Sequence, residues 1–219
     1  MKQYLWSEKE QVLYRNEFQS AEESNKLLTQ RFDPWLLSWQ GTDTTPDNLT
    51  EITPLEAIKK LQPQLRRLPI GVIGPREASD DELKLAHELG YALADIGLQL
   101  ICGGKNGVME AAARGYHEAG GLAIGVLPDE DWRLANDYIA IPIASGIGRA
   151  RNAILAQACP VLIAVGGGYG TLSEMAFGLQ FNQMVLALGD APQVEGVIYC
   201  GDILQVLIYC AERLFSLPV

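Results

Sequence analysis

An α/β fold built on a parallel sheet is the architecture that the sequence predicts. Between Leu68 and Phe215, short apolar runs alternate with segments of helical spacing. The apolar runs lack in–out alternation, so helices are expected to cover both of their faces. Right-handed connections then give a Rossmann-like, doubly wound parallel sheet with helices on both faces. This domain covers residues 68–219, and residues 1–67 form an N-terminal extension.

The N-terminal extension has mixed polarity and contains one well-signalled helix. Thr53, Pro54 and Glu56 combine a capping box with proline at the first helical position. Before this helix, the pattern favours a hairpin over Tyr4–Tyr14 and a short helix around Ala21–Thr29. The extension is therefore expected to hold short helices and a hairpin.

Six strands and five helices are expected in the larger domain, each marked by turn or capping residues. The strands follow in the order Ile70–Pro75, Leu98–Cys102, Leu122–Pro128, Tyr138–Ile143, Pro160–Val165 and Val185–Leu188. The helices are expected over Ser79–Ile96, Val108–Ala119, Gly148–Ala158, from Gly170 to about Gln183, and Ile203–Phe215.

Composition excludes several classes of function. The formal net charge of −10 argues against nucleic-acid binding through a broad basic face. No run of about 18 apolar residues could span a membrane, and the N-terminus lacks the apolar run of a signal peptide. The four cysteines show no C-x-x-C spacing, which is typical of buried thiols in a reducing compartment. A cytoplasmic protein without nucleic-acid or membrane partners is expected.

Glycines accumulate where the sheet should bind a ligand, at the carboxyl ends of its strands. The clearest instance is Gly166–Glu174, where four glycines stand between an apolar strand and a helix. Glycine lets a ligand approach the backbone, and the N–H groups of a helix start attract an anion. The dinucleotide and phosphate-loop patterns are not met. A plainer interpretation is that Thr171 and Glu174 form a capping box.

Two further segments share this predicted edge of the sheet. Gly103, Gly104 and Gly107 precede Met109 in a second strand–glycine–helix turn. In the other segment, helical spacing aligns Arg151 with the apolar residues of its helix, Ile154, Leu155 and Ala158. A buried arginine needs a carboxylate or an anionic ligand, and Glu174 or a phosphate could serve. Arg149 is more simply interpreted as a solvated first-turn residue.

Other catalytic chemistries find little support in the sequence. His87 and His117 lie in predicted helices without a second ligand at metal spacing, so no metal site is expected. Ser173 lacks the G-x-S-x-G context of a hydrolase nucleophile. No bound cofactor is expected.

These motifs together resemble the Lonely Guy (LOG) superfamily, also called SLOG, over roughly 68–189. That superfamily includes cytokinin-activating phosphoribohydrolases, often mislabelled lysine decarboxylases, an activity that is not expected here. The enzyme signature P-G-G-x-G-T-x-x-E is matched from Gly167 to Glu174. The resemblance implies a nucleotide-binding domain over residues 68–219 and assigns catalysis to Arg151 and Glu174. It assigns phosphate or nucleotide binding to Gly74, Gly103, Gly104, Gly107, Met109, Arg149, Asn152, Gly167, Gly168, Tyr169, Gly170 and Thr171.

The chain departs from the enzyme pattern at two places. Gly166 replaces the proline of the signature, and Ala150 and Asn152 flank Arg151 where the enzymes have E-R-K-x-x-M. This version resembles a sub-branch that includes molybdenum cofactor carrier proteins. Two functions therefore follow from the resemblance: hydrolysis of the N-glycosidic bond of a nucleoside 5′-monophosphate, or non-catalytic binding of a nucleotide or pterin cofactor. The resemblance also implies a homodimer.

Overall fold

The computed structural model describes residues 3–18, 27–42 and 46–217. The chain divides into two units. Unit 1 combines Met1–Arg66 with Ala211–Val219, and unit 2 comprises Arg67–Cys210. None of the described helices has the length and apolar character needed to cross a membrane.

The described residues of unit 1 include a five-stranded antiparallel sheet and the helix that follows it. Its strands are β1 (Tyr4–Ser7), β2 (Val12–Phe18), β3 (Leu27–Asp33), β4 (Ser38–Gly41) and β5 (Thr50–Ile52), in the spatial order β4-β3-β2-β1-β5. Helix α1 (Pro54–Leu61) starts at Thr53 with the expected capping box. The predicted hairpin is also confirmed, because β1 pairs with β2.

The sheet of unit 1 is larger than the sequence indicated. The rings of Tyr4, Phe32, Trp39 and Phe215 pack together with centroids 5.0–6.3 Å apart, and they supply an apolar core for the strands. Most of the helix predicted at Ala21–Thr29 lies outside the described residues. Its last three residues belong to β3, so a helix there is wrong.

Unit 2 contains the predicted parallel sheet, which confirms the fold class. Its strands are β6 (Pro69–Ile73), β7 (Gln99–Cys102), β8 (Ala123–Leu127), β9 (Ile139–Ala144), β10 (Val161–Val165), β11 (Met184–Leu188) and β12 (Ile198–Tyr199), in the order β12-β11-β10-β6-β7-β8-β9. All neighbouring pairs are parallel. The two-residue strand β12 was not predicted, because it is too short to show a pattern.

Helices α2 (Asp80–Asp95), α3 (Val108–Glu118), α4 (Arg151–Ala158), α5 (Tyr169–Gln180) and α6 (Ile203–Leu214) follow the strands. Helix α2 packs on α3, and α4 packs on α5. The capping box predicted at Ser79 is present. Helix α5 ends earlier than expected, because Asn182 has a left-handed backbone with φ of 58°.

The central strands β6 and β10 mark the point at which the strand order reverses. From β6 the chain adds β7, β8 and β9 on one side, and then returns to place β10 on the other. Gly74 and Gly166 immediately follow these two strands. In an open parallel sheet, the crevice at such a switch point is the usual ligand site.

Candidate functional site

A cavity of about 450 Å³ lies at this switch point, and we refer to it as the switch-point cavity. Five parts of unit 2 contribute: the ends of β6 and β8, the start of α3, the start of α4 with the turn before it, and the start of α5. The predicted site residues in its lining are Gly74, Met109, Arg149, Arg151, Asn152, Gly168, Tyr169, Gly170, Thr171 and Glu174. Pro75, Arg76 and Pro128 also line it, and sequence reasoning did not select them.

Arg151 and Glu174 form a buried ion pair in the floor of the switch-point cavity. The Arg151 Nη1 donates a hydrogen bond to the Glu174 Oε1 at 2.9 Å. Both residues are only 6% exposed. The sequence left Glu174 and a ligand phosphate as possible partners of Arg151, and in the structure Glu174 is its partner.

Arg151 is the first residue of α4 and lies on the buried face of this helix. Arg151 is buried together with Leu155 and Ala156 of α4. Ile154 is 50% exposed and Ala158 is also exposed, so the predicted apolar stripe was wrong in phase. Helix α4 therefore buries a face that is rotated toward Ala156 and away from Ile154.

Gly103 makes room for the Arg151 guanidinium. A Cβ added at Gly103 would lie 2.1 Å from the Arg151 Nη2 and 2.7 Å from the Met109 Sδ. Any larger residue at position 103 would therefore displace the arginine or the methionine.

Burial raises the pKa of the Glu174 carboxyl to about 7, although the adjacent Arg151 acts to lower it. The carboxyl is consequently divided between its neutral and charged forms near neutral pH. A carboxyl with this property can hold or release a proton under physiological conditions.

Two buried polar atoms in the lining lack a hydrogen-bond partner among the described residues. These are the Thr171 Oγ1 and the Arg151 Nε. Thr171 is 2% exposed. Buried polar groups in proteins almost always have a partner, so a water molecule or a ligand in the switch-point cavity is expected to supply one for each atom.

The capping-box interpretation of Thr171 and Glu174 is wrong. Helix α5 starts at Tyr169, with Gly168 as its N-cap and no side-chain cap. Thr171 is therefore the third residue of the helix, and the Glu174 carboxylate bonds to Arg151 instead of to the backbone of Thr171.

The glycines at the start of α5 fall into two groups. A Cβ added at Gly168 or Gly170 would meet no atom within 4 Å, and Gly168 has an extended backbone with φ of −138°. Neither packing nor conformation therefore requires glycine at Gly168, and both residues face open space in the switch-point cavity. Backbone N–H groups in this position are accessible to an anion.

Gly166 and Gly167 instead have structural roles. Gly166 has φ of 59°, and its N–H donates to the Leu188 carbonyl at 3.2 Å. A Cβ added there would lie 1.6 Å from the Glu82 Oε1. Gly167 lies outside the lining and packs on Pro192, where an added Cβ would come within 2.5 Å of the ring.

The second glycine turn lies outside the lining as well. Gly104 has φ of 67° and packs on Leu127 and Gly125. Gly107 has φ of 73°, and a Cβ added there would lie 2.4 Å from the carbonyl oxygens of Pro75 and Arg76. Gly103 thus makes room for the Arg151 side chain, and Gly107 makes room for the backbone of Arg76. Phosphate binding by this turn stays a prediction.

The lining of the switch-point cavity has the opposite charge to the whole chain. Arg76, Arg149 and Arg151 supply three positive charges, and Glu174 is the single acidic residue of the lining. The formal net charge of the chain is −10. A local excess of arginine in such a chain favours an anionic ligand.

Tyr169 and Asn152 complete the predicted set. The Tyr169 side chain is 94% exposed at the first residue of α5. The Asn152 Nδ2 lies 3.5 Å from the Ser173 Oγ. Within the described part of the chain, no group of three or more His, Cys, Asp or Glu side chains could hold a metal ion.

Comparisons with known proteins agree with this architecture. A model of the SLOG cluster4 family matches residues 67–206. The molybdenum cofactor binding protein of the phototrophic bacterium Rippkaea orientalis is 34% identical with a TM-score of 0.64, and the match covers 69% of this chain and 99% of that one. The molybdenum cofactor carrier protein of Chlamydomonas reinhardtii is 35% identical with a TM-score of 0.63, over 69% of this chain and 100% of that one.

An enzyme is also among the similar proteins. The cytokinin riboside 5′-monophosphate phosphoribohydrolase of Arabidopsis thaliana is 32% identical over 122 residues, which are 54% of this chain and 51% of the plant protein. The similarity therefore spans about half of that enzyme.

Proposed function

Since the chain belongs to the SLOG cluster4 family, we propose that its switch-point cavity binds a phosphorylated, nucleotide-like small molecule. The observation that carries this proposal is the pair of unpartnered buried atoms, the Thr171 Oγ1 and the Arg151 Nε. Both belong to residues that line the cavity at the start of a helix. A phosphate oxygen would satisfy such groups and would be stabilised by the helix dipole.

The phosphate would be held by the N–H groups of Gly168–Thr171 and by the hydroxyl of Thr171. Gly168 and Gly170 let the ligand approach the backbone, because a side chain at either position would project into open space. Arg151 would face the same group from the floor. These contacts would hold the phosphate in place, and the Glu174 carboxyl would then lie next to the ligand.

Calorimetric titration with AMP and with inorganic phosphate tests the binding proposal. Saturable binding of AMP is expected, and Thr171→Val should weaken it about tenfold, the effect of losing one charge-assisted hydrogen bond. Thr50→Val, an exposed position in unit 1, is the matched control and should bind like the natural chain. Absence of binding by every phosphorylated compound tried would refute the proposal.

Hydrolysis of an N-glycosidic bond is the reaction that this geometry supports best. Water would replace the base at the sugar carbon, giving the free base and ribose 5-phosphate from a nucleoside 5′-monophosphate. The Glu174 carboxylate would stabilise the positive charge that develops on the sugar, and Arg151 would hold the carboxylate in position. Because the charged form is required, the rate should rise as pH increases through about 7, the pKa of Glu174.

Release of free base from AMP and related monophosphates, followed by chromatography, tests this reaction. Glu174→Gln and Arg151→Gln should each abolish release, and circular dichroism of each variant separates loss of activity from loss of folding. If the natural chain binds AMP but releases no base from any monophosphate, hydrolysis is wrong and binding stands.

A carrier without turnover is the second candidate, and the backbone at Gly166 favours it. The proline of the enzyme signature cannot adopt φ of 59°, and it has no N–H to bond Leu188. The start of this turn must therefore differ from that in a chain with proline. The similar solved structures are described as molybdenum cofactor binding and carrier proteins. Stoichiometric binding of a pterin cofactor without conversion, followed by its fluorescence, would support the carrier function.

We also propose that two copies of the chain associate. Ile141, Ile143 and Ile147 are 45%, 47% and 47% exposed on or beside β9, which is an edge strand of the sheet. Exposed apolar side chains beside an open strand edge are typical of interaction surfaces.

A further inference from the structure

Arg76 lines the switch-point cavity and was not among the predicted site residues. It follows β6 in the segment Gly74-Pro75-Arg76, and all three residues line the cavity. The side chain is exposed, and no ion pair of Arg76 with another described residue is present. An exposed guanidinium at a cavity is free to bind an anion.

The backbone of Arg76 is held in place by the second glycine turn. The Val108 N–H donates to the Pro75 carbonyl at 3.1 Å, and the Arg76 carbonyl oxygen lies 2.4 Å from where a Cβ of Gly107 would be. This close contact is possible because residue 107 is glycine with φ of 73°. The loop that presents Arg76 is thus fixed against the start of α3.

Arg149 reaches the same cavity from a different element. It belongs to the 3₁₀ turn Gly148–Ala150 that precedes α4. Its side chain is exposed, and it too forms no ion pair with the described residues. Two guanidinium groups from separate loops therefore line one cavity, in addition to the buried Arg151.

The acidic group of the lining does not neutralise these two arginines. Glu174 is bonded to Arg151 in the floor and is only 6% exposed. A single phosphate at the start of α5 already has the N–H groups of that helix, the Thr171 hydroxyl and Arg151 available. Arg76 and Arg149 therefore remain for a second anionic group.

From this arrangement we infer that Arg76 and Arg149 form a second anion-binding subsite of the switch-point cavity, so that the ligand carries two anionic groups. The inference rests on the proposed function and narrows it. The ligand class is a nucleotide-like molecule with a second phosphate or other oxyanion, as in a nucleoside diphosphate or bisphosphate. Arg76 and Arg149 are specificity-determining residues in this scheme and not catalytic ones.

Calorimetric titration with AMP, ADP and adenosine 3′,5′-bisphosphate tests the second subsite. The titrations use the full chain in buffer with EDTA, so that no divalent ion bridges the phosphates. At least one of the doubly phosphorylated compounds should bind about tenfold or more tightly than AMP, because the additional charge-assisted contacts are of that strength. Arg76→Gln and Arg149→Gln should each reduce this preference, because the affinity for the doubly phosphorylated compound should fall more than the affinity for AMP.

Lys84→Gln is the matched control, because it removes one positive charge from an exposed position of α2 outside the cavity lining. It should retain the preference of the natural chain. Thermal unfolding should be unchanged in all three variants, because each replaced side chain is exposed.

Three results separate the possibilities. Loss of the preference in the two arginine variants supports the inference. Equal affinity of the natural chain for AMP and for both doubly phosphorylated compounds overturns it, as does a preference that survives both substitutions. Binding of AMP with no preference would leave the proposed function intact, whereas failure of all three compounds to bind would count against the proposed function itself.

Discussion

The ion pair of Arg151 and Glu174 has two roles that can be separated by experiment. It places a guanidinium and a carboxyl beside the start of α5, and it also neutralises two charges in the interior of unit 2. Removal of one partner leaves the other charge buried and unpaired, which is strongly destabilising. Loss of function in a single variant can therefore reflect loss of folding.

Breaking the pair should destabilise the protein. Glu174→Ala is expected to lower the free energy of unfolding by about 3 kcal/mol, because the guanidinium of Arg151 stays buried without its partner. Urea denaturation followed by circular dichroism measures this loss. The double variant Arg151→Met with Glu174→Leu should recover most of it, since neither charge remains. A Glu174→Ala protein as stable as the exposed control Glu88→Ala would contradict the prediction.

The raised pKa of Glu174 makes stability depend on pH. The pKa rises from 4.5 to about 7 on folding because burial disfavours the charged form. The stabilisation from the protonated carboxyl is therefore complete below about pH 4.5 and is lost as pH rises through about 7. The free energy of unfolding, measured at several pH values in this window, should fall with pH more steeply in the natural chain than in Glu174→Gln. Parallel curves for the two proteins would contradict this.

At the scale of elements, the two glycine turns of unit 2 differ in purpose. In the turn before α5, Gly168 and Gly170 leave open space, whereas Gly166 is required by its left-handed backbone and by its contact with Glu82. In the turn before α3, Gly103 and Gly107 make room for Arg151 and for the backbone of Arg76. The second turn thus supports the site without lining the switch-point cavity.

Substitutions at two glycines of the turn before α5 should separate these roles. Gly166→Pro should destabilise the protein by about 3 kcal/mol or more, because proline cannot adopt φ of 59° and loses the bond to Leu188. Gly168→Ala should leave the melting temperature almost unchanged, since the added methyl meets no atom. The same methyl should weaken AMP binding by blocking access to the backbone. Unfolding curves and AMP titrations of both variants test this assignment. It would be wrong if Gly168→Ala lost stability while Gly166→Pro kept it.

Local signals were sufficient to predict most elements of unit 2. The capping box at Ser79 marked the start of α2, and short apolar runs marked the strands of the parallel sheet. The strands of unit 1 were mostly missed, because their pairing depends on contacts such as Phe32 with Trp39. Such contacts depend on tertiary packing and leave no periodic signal.

Only part of the lining of the switch-point cavity was predicted from the sequence. Arg151 was selected because a buried arginine needs an anionic partner, and Glu174 was one of the two partners considered. Arg76 was missed because its position depends on Gly107, which is distant in the sequence and adjacent only after folding. The exposure of Ile154 was missed because helical spacing does not show which of two neighbouring faces of α4 packs on the rest of unit 2.

The whole molecule combines an acidic chain with a cationic cavity. The net charge of −10 disfavours long, polyanionic partners, while Arg76, Arg149 and Arg151 concentrate positive charge where a small anion can reach it. This distribution fits a small phosphorylated ligand better than it fits a nucleic acid.

Association of two copies is the prediction that belongs to this scale. Ile143→Lys places a charge on the edge strand β9, and it should convert a dimer to a monomer without a change in the circular dichroism spectrum. Light scattering coupled to size-exclusion chromatography measures the mass. Leu204→Lys, at an exposed position on α6, is the control and should remain dimeric. A monomeric natural chain at high micromolar concentration would rule out the association.

The contact between Gly166 and Glu82 ties two distant positions together. Glu82 caps α2 through Ser79, and its carboxylate occupies the space that any side chain at 166 would need. A descendant of this chain could therefore acquire a bulkier residue at 166 only after the capping glutamate had moved or shortened. Sequence changes at these two positions should accordingly be found together among related chains, with glycine accompanying the glutamate.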